Sequence, residues 1–404
     1  MVRYHASWVV PISEPPIPDG WIAVDRGRIA AVGRRGPSGI AAGDVDLGRV
    51  VVMPGLVNAH THLELSYLRD QVPPAASFPA WIRGVLQARR QRPDARAPEI
   101  LSGIRRGLEE SIASGTAVVG DISNTLVTFG PLARSALAGV VFYELIRFKA
   151  AGAEQAVEEA LRAIDALPAT ELVRASLAAH APYSVAPLVF RAIRKAIDRR
   201  PFLPCSVHLA ESAEEVEFIA TGEGPWRALL EELGAWDPTW RPPRVSPVRF
   251  LDDAGFFDSR VLAVHGVQMT PGDLERLAAR GSTIVACPRS NGHTGAGAPP
   301  LSDFYAAGVR VAVGTDSLAS APDLNVFAEV ATMRALAPRV PAALLLESAT
   351  RQGARALGFD ADYGTIEPGK RARLLAIEMP AAASDVEEYL VGGIQPGQLR
   401  WLEA

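Results

Sequence analysis

Eight short apolar runs separated by amphipathic stretches predict an α/β fold of the (β/α)8, or TIM, barrel class, and turn-rich strand patterns at both chain ends predict a small β-sandwich domain attached to it. Three observations carry this reading. The runs fall at 51–57, 115–121, 139–145, 173–179, 203–208, 261–265, 282–286 and 309–315. Apolar residues between them recur at helical spacing. Several runs end in a histidine or an acid, and the C-terminal ends of parallel barrel strands converge on one mouth.

Taken in order, the first fifty residues read as short strands. Trp21-Ile22-Ala23-Val24 and Ile29-Ala30-Ala31-Val32, joined through Asp25-Arg26-Gly27-Arg28, predict a hairpin. Beyond Pro54 the pattern alternates. Ile100, Ile104, Leu108 and Ile112 mark a helix face, as do Val157, Leu161 and Ile164, and then Val189, Ile193 and Ile197. A long irregular insert, roughly 221–247, follows the run that ends at His208 and reads as a lid, a substrate wall or simple packing over the rim. Near the C-terminus, Tyr363 to Lys370 leads into Leu374-Leu375-Ala376-Ile377. The expected division is a composite β domain from 1–53 and 360–404 around a barrel at 54–359.

Composition narrows the function classes. The 404 residues are 48% hydrophobic and 21% charged, an ordinary globular balance with ample material for a large core. A net charge of −4 and the lack of a basic run argue against nucleic acid as a partner. The N-terminal sequence has no signal-peptide pattern and no apolar stretch reaches the ~18 residues of a membrane span, so a cytoplasmic protein with no membrane partner is expected. Cys205 and Cys287 read as buried, reduced thiols.

The chemistry-bearing residues stand at the strand ends. The run Met53-Pro54-Gly55-Leu56-Val57-Asn58-Ala59-His60-Thr61-His62 ends in His-x-His, and side chains at i and i+2 of a strand share a face, so both imidazoles reach one ion. Later runs end in His180-Ala181-Pro182-Tyr183, His208-Leu209-Ala210-Glu211, His265-Gly266 and Gly314-Thr315-Asp316. Any one histidine alone is more often a satisfied core residue; this ordered set is not readily explained that way. His5 reads as a surface residue and His293 as a pocket or loop residue. Asp121 and Glu144 orient ligands, bind substrate or serve structural hydrogen bonds. Phe78 and Trp81 precede a helix, where they stack on an aromatic substrate or are simply buried.

These motifs resemble the ordered signature of the amidohydrolase superfamily, in its deaminase and chlorohydrolase branch, over nearly the full length. Gly364-Thr365-Ile366-Glu367-Pro368-Gly369-Lys370 and Ala349-Thr350-Arg351-Gln352-Gly353-Ala354 extend the likeness. One departure is Ala372-Arg373-Leu374, where the family usually has Ala-Asp-Leu. The resemblance implies one divalent ion, zinc or iron, held by His60, His62, His208 and Asp316 with a water completing the shell. It implies Glu211, His265 and Asp316 as catalytic residues, with Glu211 protonating a ring nitrogen, His265 and Asp316 taking the proton of the attacking water, and Asp316 passing it to the departing amine. His180 matches a substrate contact, and the substrate-binding set is expected to be His180, Trp81, Glu144 and Arg147. A histidine rather than a lysine at the end of the fourth run favours a mononuclear site.

The implied reaction is hydrolytic deamination of a nitrogen heterocycle, with a small molecule as partner and a homodimer as the expected assembly. The resemblance is closest to deaminases of modified adenine nucleosides: S-adenosylhomocysteine, methylthioadenosine and aminodeoxyfutalosine. Related enzymes of the first two kinds carry a carboxylate just before the matching Trp; here the run is Phe78-Pro79-Ala80-Trp81, which favours aminodeoxyfutalosine. Arg83, Arg147 and Arg289 are candidate anchors for a substrate carboxylate, each with an ordinary ion-paired role as the alternative. Cyclic-amide hydrolysis, chlorohydrolysis and, more remotely, a non-catalytic binding protein remain alternatives.

Overall fold

A computed structural model describes residues 1–36, 40–381 and 383–402; positions 37–39, 382, 403 and 404, which the composite β domain was expected to include, lie outside the described residues. Eight parallel strands form a nearly closed barrel: β1 (Leu56–Thr61), β2 (Thr116–Ser123), β3 (Ala138–Leu145), β4 (Val173–Ala179), β5 (Cys205–Leu209), β6 (Val261–His265), β7 (Thr283–Ala286) and β8 (Arg310–Val313). Each pairs with the next in sequence order, and a helix follows each strand, as right-handed β-α-β connections require. Between β8 and β1, one backbone bridge among the described residues spans the seam, Thr61 to Asp316, in which the Asp316 amide donates to the His60 carbonyl at 3.1 Å, and the Asn58 side chain adds bonds to the Thr315 hydroxyl at 2.7 Å and amide at 3.1 Å.

The expected helices form at Pro98–Ala113, Ala153–Asp165 and Pro187–Asp198, burying Ile100, Ile104 and Leu108 on the first, Val157, Leu161 and Ile164 on the second, and Val189, Ile193 and Ile197 on the third. Phe78 and Trp81 lie inside a helix, Phe78–Arg90, rather than before it, because Pro79 suits the first turn of a helix. The insert at 221–247 is not wholly irregular: it carries a helix, Pro225–Glu232.

A seven-stranded mixed sheet gathers both chain ends. Its order is Leu399–Trp401, Leu374–Glu378, Val50–Pro54, Val2–Val9, Ile17–Asp25 and Arg28–Arg34, with Val45–Asp46 beside Val2–Val9. The expected hairpin forms with Ile22 opposite Val32, and Arg26 and Gly27 take φ of 49° and 72°, the left-handed pair of a tight hairpin turn.

The apolar run at 51–57 proves to be two strands rather than one. Val50–Pro54 belongs to the mixed sheet, opposite Leu374–Glu378, while Leu56 begins the barrel. Gly55 is the crossing point. Its amide donates to Arg373 and that of Leu56 to Gly115, both at 2.9 Å, and a Cβ on Gly55 would lie 2.7 Å from the Ala117 methyl and 2.9 Å from the Trp401 ring. Arg373, the departure noted above, lays its guanidinium 3.8 Å over that same ring. Among the described residues no helix is long and apolar enough to cross a membrane.

Candidate metal centre and active site

Three strand ends, those of β1, β5 and β8, bring four donor atoms together at the barrel mouth. His60 Nε2 and His62 Nε2 are 3.2 Å apart, as their shared face demands, and His208 Nε2 reaches to 3.3 Å from His62 Nε2. Asp316 Oδ1 lies 3.4 Å from His62 Nε2 and 3.9 Å from His60 Nε2. Donors around a tetrahedral zinc at 2.0–2.1 Å stand about 3.3 Å from one another, so this donor set fits such an ion. Gly314 permits the approach: a Cβ there would come within 2.8 Å of His60 Cβ and of its carbonyl oxygen.

Electrostatics keep the donors in their ligating forms. Burial pulls His60 well below the usual imidazole range and brings His62 down to about 3; it lowers His208 too, so all three rings are neutral at physiological pH. The His208 Nδ1–H donates to the His180 carbonyl at 3.0 Å, which fixes the tautomer and turns Nε2 toward the site. Burial opposes ionisation of Asp316, yet His62, His265 and the Ser290 hydroxyl hold it below the ordinary carboxyl value.

Glu211 and His265 stand beside this cluster. Glu211 Oε1 is 3.5 Å from His265 Nε2, and both side chains are buried. The Asn291 amide donates to His265 Nδ1 at 3.0 Å, leaving the ring proton on Nε2, the side that faces Glu211. Burial pushes the Glu211 carboxyl well up, with Asp316 and Glu215 adding repulsion. Asn291 and Ser290 are partners the motif reading passes over; their only signal is their place just after the β7 run.

A cavity of about 220 Å³ opens above these groups and is lined by His62, His208, Glu211, His265 and Asp316. Of the expected substrate contacts, Trp81, Glu144 and His180 line it. Glu144 takes the Asn124 amide at 2.7 Å on one oxygen and sets the other 3.4 Å from His208 Nδ1. His180 Nδ1 meets the Ser184 hydroxyl at 2.5 Å.

Arg147 is not brought into the cavity: it is exposed and its guanidinium turns to the Ala151 carbonyl. Arg83 pairs with Glu232 at 3.2 Å and Arg289 with Asp323 at 2.8 Å. The arginine that does line the cavity is Arg89, which donates to Asn124 at 2.9 Å and lies 3.5 Å from Glu64. It stands two helical turns past Trp81, a relation that a helix spanning 78–90 makes visible in the sequence. Trp226, Leu229, Leu230 and Leu233 from the 221–247 insert form part of the wall, with Trp226 stacked on Tyr183 at 3.7 Å between centroids.

The other histidines go elsewhere. His5 is buried rather than at the surface, because it pairs with Asp44 at 2.8 Å, and His293 bonds the Val72 carbonyl at 3.1 Å away from the cavity. Asp121, on β2 opposite Thr61 of β1, is buried and accepts the Leu63 amide at 2.8 Å. Cys205 and Cys287 are both free and buried.

Residues 51–394 match the Amidohydrolase family. An aminodeoxyfutalosine deaminase of Deinococcus radiodurans is 34% identical over 322 residues, covering 76% of this chain and 73% of that protein. A 5-methylthioadenosine/S-adenosylhomocysteine deaminase of Moorella thermoacetica is 29% identical, covering 98% of this chain and 94% of that protein. The crystal structure of an adenosine deaminase from Xanthomonas campestris with bound zinc superposes with a TM-score of 0.80 at 27% identity, over 98% of this chain and 90% of that one. The fold is shared with Helicobacter pylori aminofutalosine deaminase, solved with methylthio-coformycin, at a TM-score of 0.85 and 24% identity, over 100% and 98% of the two chains. On a family match that spans most of its length and curated relatives that are deaminases, the chain belongs to the amidohydrolase family and is an aminohydrolase of its deaminase type.

Proposed function

We propose that the chain deaminates the adenine ring of a modified nucleoside, aminodeoxyfutalosine first, releasing ammonia and leaving a ring carbonyl. The observation that carries this is the convergence of His60, His208 and Asp316 on His62, whose Nε2 lies 3.2–3.4 Å from a donor atom of each, beside Glu211 and His265 on the floor of one cavity. The Deinococcus relative, an aminodeoxyfutalosine deaminase by name, supports the choice of nucleoside. So does the sequence before Trp81: helix Phe78–Arg90 has no acidic residue in its first turn, and the carboxylates lining the cavity are Glu144, Glu211 and Asp316.

His60, His62, His208 and Asp316 would hold one divalent ion, zinc, with iron as the alternative. Such an ion supplies Lewis-acid chemistry, bringing the pKa of water toward about 7. Glu211, held as the neutral acid in its buried site, donates its proton to a ring nitrogen and makes the adjacent carbon electrophilic. As the water oxygen bonds to that carbon, one of its protons passes to Asp316; His265, whose Nε2–H faces the site, donates to the same oxygen and steadies it rather than taking the proton. The carbon–nitrogen bond then breaks, Asp316 returns the proton to the departing amine and ammonia leaves, while the proton still on the new hydroxyl passes to Glu211, which restores the acid and leaves the ring carbonyl. Trp81 and Tyr183 pack against the ring system, His180 and Glu144 take its polar edge, and the insert excludes water from one side.

Ammonia release by metal-assayed protein across aminodeoxyfutalosine, S-adenosylhomocysteine, methylthioadenosine, adenosine, guanine, cytosine and a chlorinated triazine tests the reading. The highest kcat/KM is expected on aminodeoxyfutalosine, and Glu211→Gln is expected to lose turnover while keeping its metal. A preference for methylthioadenosine or S-adenosylhomocysteine would move the substrate to the type named for the Moorella relative. Silence from metal-loaded protein would overturn deamination and direct the search to cyclic amides.

A further inference from the structure

The turn that carries Glu211 raises a question of backbone bonding. β5 ends at Leu209, paired with His265, and Ala210 then enters the left-handed region at φ 48°, which an alanine adopts only at a cost. The amides of Ala210 and Glu211 therefore leave the ladder, yet both residues are buried, so water cannot satisfy them. Glu215 takes both: one carboxylate oxygen accepts from Ala210 N at 2.9 Å and the other from Glu211 N at 2.9 Å. On the opposite side, the Leu209 and Ala210 carbonyls accept the amides of Gly266 at 3.1 Å and Gln268 at 2.7 Å.

Glu215 itself is fully buried and is the third residue of helix Ala213–Thr221, whose N-cap hydroxyl, Ser212, accepts the Glu215 amide. In the usual Ser-x-x-Glu capping box the glutamate reaches back to the N-cap amide. Here it reaches past the cap to the two preceding amides. We propose that Glu215 is a positioning residue for the reaction: by clamping the peptide between Ala210 and Glu211 it holds the Glu211 carboxyl 3.5 Å from His265 and over the cavity floor. This rests on the acid role given to Glu211 above.

The test is a double-mutant cycle of Glu211→Gln and Glu215→Gln, with kcat, KM and metal content measured for all four proteins on the best substrate of the panel. In Glu215→Gln the new side-chain amide would set an NH2 against one of the two backbone N–H groups and release the clamp. Displacing a catalytic group by ~1 Å costs on the order of 100-fold, so kcat should fall about 10- to 100-fold in Glu215→Gln, with KM within about 3-fold and metal near one per chain. In the Glu211→Gln background the same change should cost less than about 3-fold, because contacts that act through one another are not additive.

Equal losses in both backgrounds, an unchanged kcat, or a loss that tracks metal content would overturn the proposal. Should Glu215→Gln fail to fold, Glu215→Asp keeps the charge, withdraws it by one methylene so that it cannot span both amides, and carries the same comparison. An unimpaired Glu211→Gln would sink the acid role itself and this inference with it. An impaired Glu211→Gln beside an unimpaired Glu215→Gln would sink only the clamp.

Discussion

Ser290 Oγ donates to Asp316 Oδ2 at 2.5 Å, and this leaves Oδ1 as the oxygen turned toward His62. One hydroxyl thus selects which carboxylate oxygen joins the donor set. Partners of this kind typically contribute 10–100-fold to metal affinity, so Ser290→Ala should weaken zinc binding by about that factor, read by competition with a chromophoric chelator. The Ser320 hydroxyl, 3.2 Å from the same oxygen, would keep the loss near the lower bound.

Removing the metal should destabilise the fold. Ligand linkage gives about 4 kcal/mol of stabilisation at a free metal concentration one thousand times Kd. A chelator should therefore lower Tm by several degrees in a thermal melt, and zinc in slight excess should restore it. An unchanged Tm would mean that the four donors do not bind an ion tightly.

Arg89 is the cationic side chain at the cavity wall. Arg89→Met should raise KM for a carboxylate-bearing nucleoside about tenfold or more, the scale of one charge-assisted hydrogen bond, while KM for adenosine stays within about threefold. Equal effects on both substrates would assign Arg89 to wall structure through Glu64 and Asn124 instead.

Gly55 should tolerate no side chain. A Cβ there meets the Ala117 methyl at 2.7 Å and the Trp401 ring at 2.9 Å, contacts that must be relieved by moving backbone or an indole. Gly55→Val should cost about 1–3 kcal/mol of stability, the usual penalty for overpacking, measured by urea denaturation.

Glu329 gives a pH-dependent stability. Burial pushes its carboxyl up to about 8, against the opposing pull of Arg289. The folded chain therefore holds a proton that the unfolded chain has released above the ordinary value of 4.5. Stability from this group falls as pH rises between those limits, because the native state binds more protons there. Glu329→Gln removes the titration, so its Tm relative to the native chain should rise from pH 5 to pH 8.5; a constant difference would refute the shift.

Much of the barrel is legible in the sequence because a buried strand has a short apolar signature and a polar residue at its end marks the mouth. The runs ending at His180, His208 and His265 needed nothing more. Where the reading slipped, a tertiary choice outweighed a local one. Residues 51–57 are uniformly apolar whether they form one strand or two, and only the approach of Ala117 and Trp401 divides them at Gly55. Arg147 and Arg89 are alike as residue types; which one reaches the cavity is decided by the direction of helix Phe78–Arg90 and by the Ala151 carbonyl. Asn291, Ser290 and Glu215 escaped notice because they bond to functional groups across distant elements, or to backbone, which no motif spacing records.

The barrel's seam has a consequence for how the enzyme comes into being. His60 lies on its first strand, His62 just past that strand's end and Asp316 just beyond the last strand, with the Thr61 to Asp316 bridge and the Asn58–Thr315 bonds stitching the two edges. The donor set is thus split between the beginning and the end of the barrel's chain, and it exists only once the cylinder has shut. Completing the architecture and completing the four-donor set are the same event, so a partly folded chain presents at most part of that set, such as the His60 and His62 pair.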